Sequence, residues 1–164
     1  MKALFIGGIK SGKSRNAEAY TLKHSTEKPF YLATTEFFDL EMQDKINKHK
    51  KQRTDAFETT EEALSLYDSL KDKDSIILIE CISMWINNML YHEKSEEDMM
   101  QEIEKLSQLK QDLVFVINDV SQSVVSGNAL VRKFVEINGR ISQVLASRCD
   151  EVYNTVAGIS VKIK

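Results

Sequence analysis

The sequence predicts an α/β domain whose mostly parallel sheet carries helices on both faces and ends in a C-terminal antiparallel edge hairpin. Three observations support this. Short continuous apolar runs, such as Ile76-Ile77-Leu78-Ile79 and Leu113-Val114-Phe115-Val116-Ile117, are the pattern of strands buried on both faces. These runs alternate with stretches long enough for helices, the rhythm of a parallel sheet. The first run, Ala3-Leu4-Phe5-Ile6, leads straight into a glycine-rich turn and then a helix-compatible stretch.

Taken in order, a strand at 3–6 is followed by a helix over 13–24, and Pro29 opens a second strand at 29–33. Helices near 40–52 and 60–71 precede a strand at 75–79. Helices at 83–91 and 96–110 lead to the strand at 113–117. A long helix over 129–148 returns the chain to strands at 151–156 and 160–163. Ala157-Gly158 between the last two supplies a hairpin turn. Pro29 is the only proline, three of the six glycines sit in the first turn, and no linker or repeat interrupts the chain. The expectation is one domain over 1–164.

Composition narrows the function classes. A chain of 164 residues with 42% hydrophobic content is large enough to bury roughly 70% of its unfolded surface. A net charge of −3 gives no general attraction to nucleic acid or anionic lipid. The longest apolar stretch, Ile76 to Leu90, is broken by Glu80, Asn87 and Asn88, so it does not read as a membrane span. Cys81 and Cys149 lack metal-ligand spacing and read as reduced thiols. With a strand at the very start and no targeting segment, these features predict a cytoplasmic protein.

The residues Gly7-Gly8-Ile9-Lys10-Ser11-Gly12-Lys13-Ser14 match the pattern Gly-x-x-x-x-Gly-Lys-Ser/Thr in the strand–turn–helix setting that gives it physical meaning. Glycines let the backbone curl its N–H groups around an anion, and the helix start adds a positive dipole end. Lys13 can reach the β/γ-phosphates, and Ser14 can offer its hydroxyl to Mg²⁺. A glycine turn with a solvated lysine would explain less. The pattern predicts a P-loop fold that binds a nucleoside triphosphate.

In such a sheet, ligands bind outside the carboxyl ends of the parallel strands. Thr34-Thr35-Glu36, Glu80 and Asn118-Asp119 then become candidates by position. Glu80 follows an aliphatic strand, where a carboxylate holds the magnesium shell; the alternative is an ordinary solvated strand-end charge. Asn118 and Asp119 read equally well as turn formers. Lys45 to Arg53 holds six basic or imidazole side chains in nine residues. Most read as a solvated helix face. His49 differs, because Met42, Ile46, His49 and Arg53 share one helical stripe that begins apolar. A packing role is the plain reading of such a histidine, but among cations an imidazole stays neutral and nucleophilic.

Taken together, these residues resemble the bifunctional adenosylcobinamide kinase/adenosylcobinamide-phosphate guanylyltransferases of cobalamin synthesis. The shared residues are Gly7-Gly8 with Ser11 to Arg15, Ala17-Glu18, Tyr31 to Thr34, Glu41-Met42, His49-Lys50 with Arg53, and Thr59 with Glu61. Later come Glu80-Cys81-Ile82, Gly139-Arg140, Gly158-Ile159 and Val161 to Lys164. The resemblance implies a RecA-like P-loop NTPase fold and a two-step enzyme. ATP or GTP would phosphorylate adenosylcobinamide, and GMP from GTP would then pass to that phosphate through a guanylyl-histidine, with Mg²⁺ as cofactor.

His49 occupies the family's histidine position. The implied nucleotide contacts are Gly7, Gly8, Ile9, Lys10, Ser11, Gly12, Lys13, Ser14, Ala33, Thr34, Thr35, Lys50, Lys51, Gln52, Arg53, Glu61 and Glu80, with Ser14 and Glu80 at the metal. Glu61 also reads as a helix-start carboxylate after Thr59-Thr60. Similar enzymes are homotrimers. The chain departs from the family pattern at Ser121, Ser123 and Ser126, where two glycines and a proline are usual, so that loop should differ in shape. A P-loop regulatory switch is a rival reading that leaves His49 unexplained. Nucleic-acid binding through Lys45 to Arg53 is disfavoured by the overall acidity.

Overall fold

A computed structural model describes residues 1–36, 56–121 and 125–164. Seven strands form one sheet: β1 (Lys2–Gly7), β2 (Phe30–Ala33), β3 (Glu58–Glu61), β4 (Ile77–Glu80), β5 (Leu113–Asn118), β6 (Glu151–Val156) and β7 (Ile159–Lys162). Their order is β3-β2-β4-β5-β1-β6-β7. All neighbours pair in parallel except β6 and β7, the antiparallel hairpin expected at the edge. Five described helices surround the sheet: α1 (Lys13–His24), α2 (Leu66–Leu70), α3 (Ile82–Tyr91), α4 (Glu96–Ser107) and α5 (Ala129–Arg148).

Side-chain alternation divides the strands between two cores, as a sheet covered on both faces requires. Leu4, Leu32, Ile77, Ile79, Phe115 and Ile117 point to one face and pack with Leu66, Trp85, Ile86, Met99, Ile103 and Ile141 of α2 to α5. Ala3, Phe5, Tyr31, Leu78, Val114 and Val116 point to the other face, where Ala17 of α1 and Phe57 join them. Trp85 is fully buried, and its indole N–H donates to the Leu64 carbonyl at 2.9 Å, so its one polar atom is satisfied.

Helix ends follow capping chemistry. Ser95 and Asp98 form a reciprocal capping box at the start of α4, and the Asn128 side chain accepts from Leu130 and Val131 at the start of α5. The expected helix at 60–71 is corrected by the structure: residues 58–61 form strand β3, and only 66–70 are helical. Glu58-Thr59-Thr60-Glu61 has no apolar face and becomes a strand by pairing with β2, from Phe30 opposite Glu58 to Ala33 opposite Glu61. Glu61 therefore closes a strand instead of starting a helix. The carboxylate serving the next turn is Glu62, which accepts from the Leu64 and Ser65 amides at 2.8 and 2.9 Å.

At the start of β6, Glu151 accepts hydrogen bonds from Lys162 (2.6 Å), Tyr20 (2.7 Å) and Tyr153 (2.8 Å), tying the hairpin to α1. Lys162 first, then the two phenols, hold its carboxyl at about 2 against an ordinary value of 4.5. A depressed folded-state pKa gives stability that is fully present above the unfolded value and is lost as pH falls through the folded one. Glu151→Gln should therefore lower the urea midpoint at neutral pH and flatten its decline between pH 4.5 and 2. Equal acid slopes in the two proteins would refute this role for Glu151.

Candidate functional site

The glycine loop leaves the carboxyl end of β1, which lies between β5 and β6. Two left-handed residues, Lys10 (φ 57°) and Gly12 (φ 95°), curl it, and the Ser11 amide closes the turn on the Gly8 carbonyl at 3.1 Å. Gly12 has no room for a side chain: a Cβ there would lie 2.9 Å from the Gly158 Cα. At Gly7 a Cβ would come within 2.5 Å of the Thr155 carbonyl oxygen. Both positions require glycine because the backbone is pressed against the β6–β7 hairpin. The Gly158 amide donates to the Ser11 carbonyl at 2.7 Å, and the Asn16 amide group donates to the Gly158 carbonyl (3.0 Å) and the Ser160 hydroxyl (2.8 Å). Ser11 Oγ is buried and has no hydrogen-bond partner among the described residues.

Helix α1 starts at Lys13, so its free amide groups and dipole end point at the loop. Lys13 is only 6% exposed, and its ammonium donates to the Gly8 carbonyl at 3.3 Å. The aliphatic stem packs inward and the ammonium turns back on the loop. Ser14 Oγ donates to Glu80 Oε1 at 2.7 Å, joining the helix start to the end of β4. These are two hard oxygen donors, the kind Mg²⁺ takes while phosphates and water fill its remaining positions. Among the described residues, no group of three or more His, Cys, Asp or Glu side chains could hold a metal by itself. The donor set therefore fits a Mg²⁺ ion that arrives with a nucleotide. Cys81 beside it is not a nucleophile, because burial and then the neighbouring Glu80 push its thiol up to about 12.

Of the other sequence candidates, Ala33, Thr34 and Thr35 leave the end of β2, and Glu61 ends the adjacent β3. Thr34 is fully buried, and its amide donates to the Glu80 carbonyl at 3.0 Å. Asn118 and Asp119 leave β5 between the loop and Glu80; the Asp119 amide donates to the Gly7 carbonyl (2.9 Å), and its carboxylate holds the amide and hydroxyl of Ser121. His49, Lys50, Lys51, Gln52 and Arg53 lie outside the described residues. Sequence reasoning missed Asn16 and Asn88. Asn16 gives no signal in sequence. Asn88 stands out only as a polar residue interrupting an apolar helix.

An open polar depression of about 420 Å³, lined by residues including His24, Glu27, Asp74, Lys110 and Asp112, lies at the opposite end of the sheet. Its mixed charges select no one ligand chemistry, and it is remote from the loop.

The family model for cobinamide kinase / cobinamide phosphate guanyltransferase matches residues 3–163. The chain is 36% identical to the bifunctional adenosylcobalamin biosynthesis protein CobU of Salmonella typhimurium and 32% identical to that of Escherichia coli, over the whole of both chains in each case. It is 32% identical to CobP of Pseudomonas aeruginosa, covering all of this chain and 98% of that one. Among solved structures, the flagellar accessory protein FlaH of Methanocaldococcus jannaschii shares the fold, with a TM-score of 0.50 and 12% identity over 98% of this chain and 75% of that one.

Lys13→Met keeps the buried stem but removes the charge beside the loop. Nucleotide turnover should fall by about 100-fold or more, the loss typical of a removed charge-stabilising donor. The melting temperature should change little. Unchanged turnover in the folded variant would remove the loop from the reaction.

Proposed function

Because the chain belongs to the cobinamide kinase / cobinamide phosphate guanyltransferase family, we propose that it carries out both reactions on adenosylcobinamide, in the cytoplasm and as a homotrimer. In the first, ATP or GTP phosphorylates the hydroxyl of the aminopropanol arm. In the second, GMP from GTP passes to that phosphate, giving adenosylcobinamide-GDP and pyrophosphate. The observation that carries the reading is the Ser14–Glu80 hydrogen bond beside buried Lys13, which brings a hydroxyl, a carboxylate and an ammonium together beside the glycine loop.

The loop amides, the start of α1 and Lys13 hold the phosphates whose charge grows as each anhydride breaks. Bound Mg²⁺, held by Ser14 and Glu80, would supply further neutralisation of that charge. Asp119 or Glu80 would accept the proton of the attacking hydroxyl; one carboxylate oxygen of each is already held, Glu80 Oε1 by Ser14 and Asp119 Oδ1 by Ser121. His49 is assigned from sequence. Its neutral imidazole nitrogen forms a bond to the α-phosphorus of GTP as the bond to the pyrophosphate leaving group breaks. The substrate phosphate oxygen then attacks the same phosphorus, breaking the P–N bond and freeing the imidazole. Ala33 to Thr35, Lys50 to Arg53 and Glu61 complete the nucleotide contacts in this reading. A regulatory NTPase would need no such histidine, and the family match over residues 3–163 favours the enzyme.

The homotrimer has a candidate surface. Ile159, Val161 and Ile163 lie at alternate positions along the edge strand and its end, exposed at 69, 59 and 63%. Covering by neighbouring copies would remove this apolar row from water. Light scattering should give the mass of three chains, and Val161→Lys should shift it to smaller species; a monomeric parent protein would refute the trimer.

The histidine assignment has a direct chemical readout. GTP labelled at the α-phosphate should label the protein, γ-labelled GTP should not, and the phosphoramidate should be lost in acid yet persist in alkali. His49→Asn should abolish the label while nucleotide binding is largely kept. Label that persists in His49→Asn, or that maps to His24 or His92, would show the wrong residue was assigned.

A further inference from the structure

We infer that Asn88 is a positioning residue that sets the nucleoside end of the nucleotide site, an inference that rests on the nucleotide reading above. Asn88 lies on α3, fully buried, beside Trp85 and Met89, which are also buried. A carboxamide in such a place costs free energy that an apolar residue would avoid, unless its hydrogen bonds compensate. Its Nδ2 donates to two backbone carbonyls distant in sequence, Thr34 at 2.6 Å and Ala63 at 3.2 Å. Its Oδ1 is buried and has no hydrogen-bond partner among the described residues. The side chain is therefore a strap between the segments that leave β2 and β3, the segments that carry Thr34-Thr35 and Glu61.

The strap continues through Thr34. The Thr34 hydroxyl donates to the Cys81 carbonyl (2.8 Å) and accepts from the Cys81 amide (2.9 Å), next in sequence to Glu80. The Ala33 carbonyl accepts from the Glu62 amide at 3.1 Å. One buried network thus fixes the exits of β2, β3 and β4 to each other, and Glu80 ties the network to Ser14 at the start of α1. The donors of this network, Asn88 Nδ2 and the Thr34 hydroxyl, are satisfied, while Asn88 Oδ1 is left over.

Distance puts the network beyond the phosphates, and the nucleotide contacts proposed at Ala33 to Thr35 and Glu61 assign it to the nucleoside. At one strand spacing per step, the end of β2 lies about 14 Å from β1 and the end of β3 about 19 Å, given the order β3-β2-β4-β5-β1. Phosphates seated on the glycine loop do not reach that far, whereas the sugar and base of an extended nucleoside triphosphate do. Loosening the strap should therefore weaken recognition of the nucleoside and leave the polyphosphate site intact.

The test compares GTP with inorganic tripolyphosphate by calorimetry, in the full-length protein and in Asn88→Ala and Thr34→Val, with folding checked by thermal melting. Both variants should bind GTP weaker by about tenfold or more, the scale of a small positional error in a binding site. In Asn88→Ala, tripolyphosphate affinity should stay within about twofold, because the glycine loop is unchanged. If Asn88→Ala does not fold, Asn88→Ser with Thr34→Val provides the same comparison. Equal losses for both ligands would mean general loosening and would overturn the positioning role. Unchanged GTP affinity in folded variants would overturn it as well, while leaving the nucleotide site standing. A parent protein that binds tripolyphosphate but not GTP would overturn the nucleotide reading and this inference with it.

Discussion

Two backbones meet where Gly12 of the loop lies against Gly158 of the terminal hairpin, and the arrangement at that end of the sheet depends on this contact. A Cβ at Gly12 would sit 2.9 Å from the Gly158 Cα, so either the loop or the hairpin would have to retreat. The same contact is reinforced by the Gly158 amide on the Ser11 carbonyl and by the Asn16 bridge to Gly158 and Ser160. Because α1 begins at Lys13, immediately after Gly12, fixing Gly12 also fixes the direction in which the helix presents its free amides, Lys13 and Ser14. The antiparallel hairpin is thus more than an ornament on a parallel sheet. It is the wall against which the glycine loop is formed.

The electrostatics follow from that geometry. Lys13 is buried, and its described contact is a neutral carbonyl at 3.3 Å, so its charge is held in place without a tight ion pair at its head. A cation placed this way is available to an incoming phosphate at low reorganisation cost, which is the condition for strong electrostatic stabilisation. Glu80 contributes the opposite sign one strand beyond β5 and is anchored by Ser14. The same carboxylate helps to keep the Cys81 thiol protonated, so no thiolate stands beside Ser14 and Glu80.

Much of this was legible in sequence because the signals were local. The expected bounds of strand β6 and helix α5 match those observed, the strand end being marked in sequence by the turn at Ala157-Gly158. The two-sided burial of β4 and β5 was legible because every residue from Ile77 to Ile79 and from Leu113 to Ile117 is apolar. What failed depended on distant partners. Strand β3 is four polar or charged residues whose strand identity comes from β2, so neither periodicity nor propensity marked it. The alternative reading of Glu61 as a helix-start carboxylate after Thr59-Thr60 fails because the carboxylate that accepts from the following amides is its neighbour Glu62. Asn88 read only as a break in an apolar run, since its meaning lies in carbonyls 54 and 25 residues away.

The sheet order explains how one loop can serve two reactions. The chain leaves β1 for β2, three places across the sheet, and later passes over β1 to go from β5 to β6. This makes the end of β1 a topological switch point, where an open crevice lies between diverging connections. Both proposed steps break a phosphoanhydride and build negative charge on a departing phosphate group, so both need the same fixed donors at that crevice. What differs is the nucleophile, a substrate hydroxyl in one step and an imidazole in the other. A rigid anion site at β1 with separately fixed exits at β2 to β4 meets that requirement, because the charge-stabilising groups stay put while the attacking group changes. The cost of such a design is buried polar side chains away from the loop, and Asn88 and Thr34 are where this chain carries it.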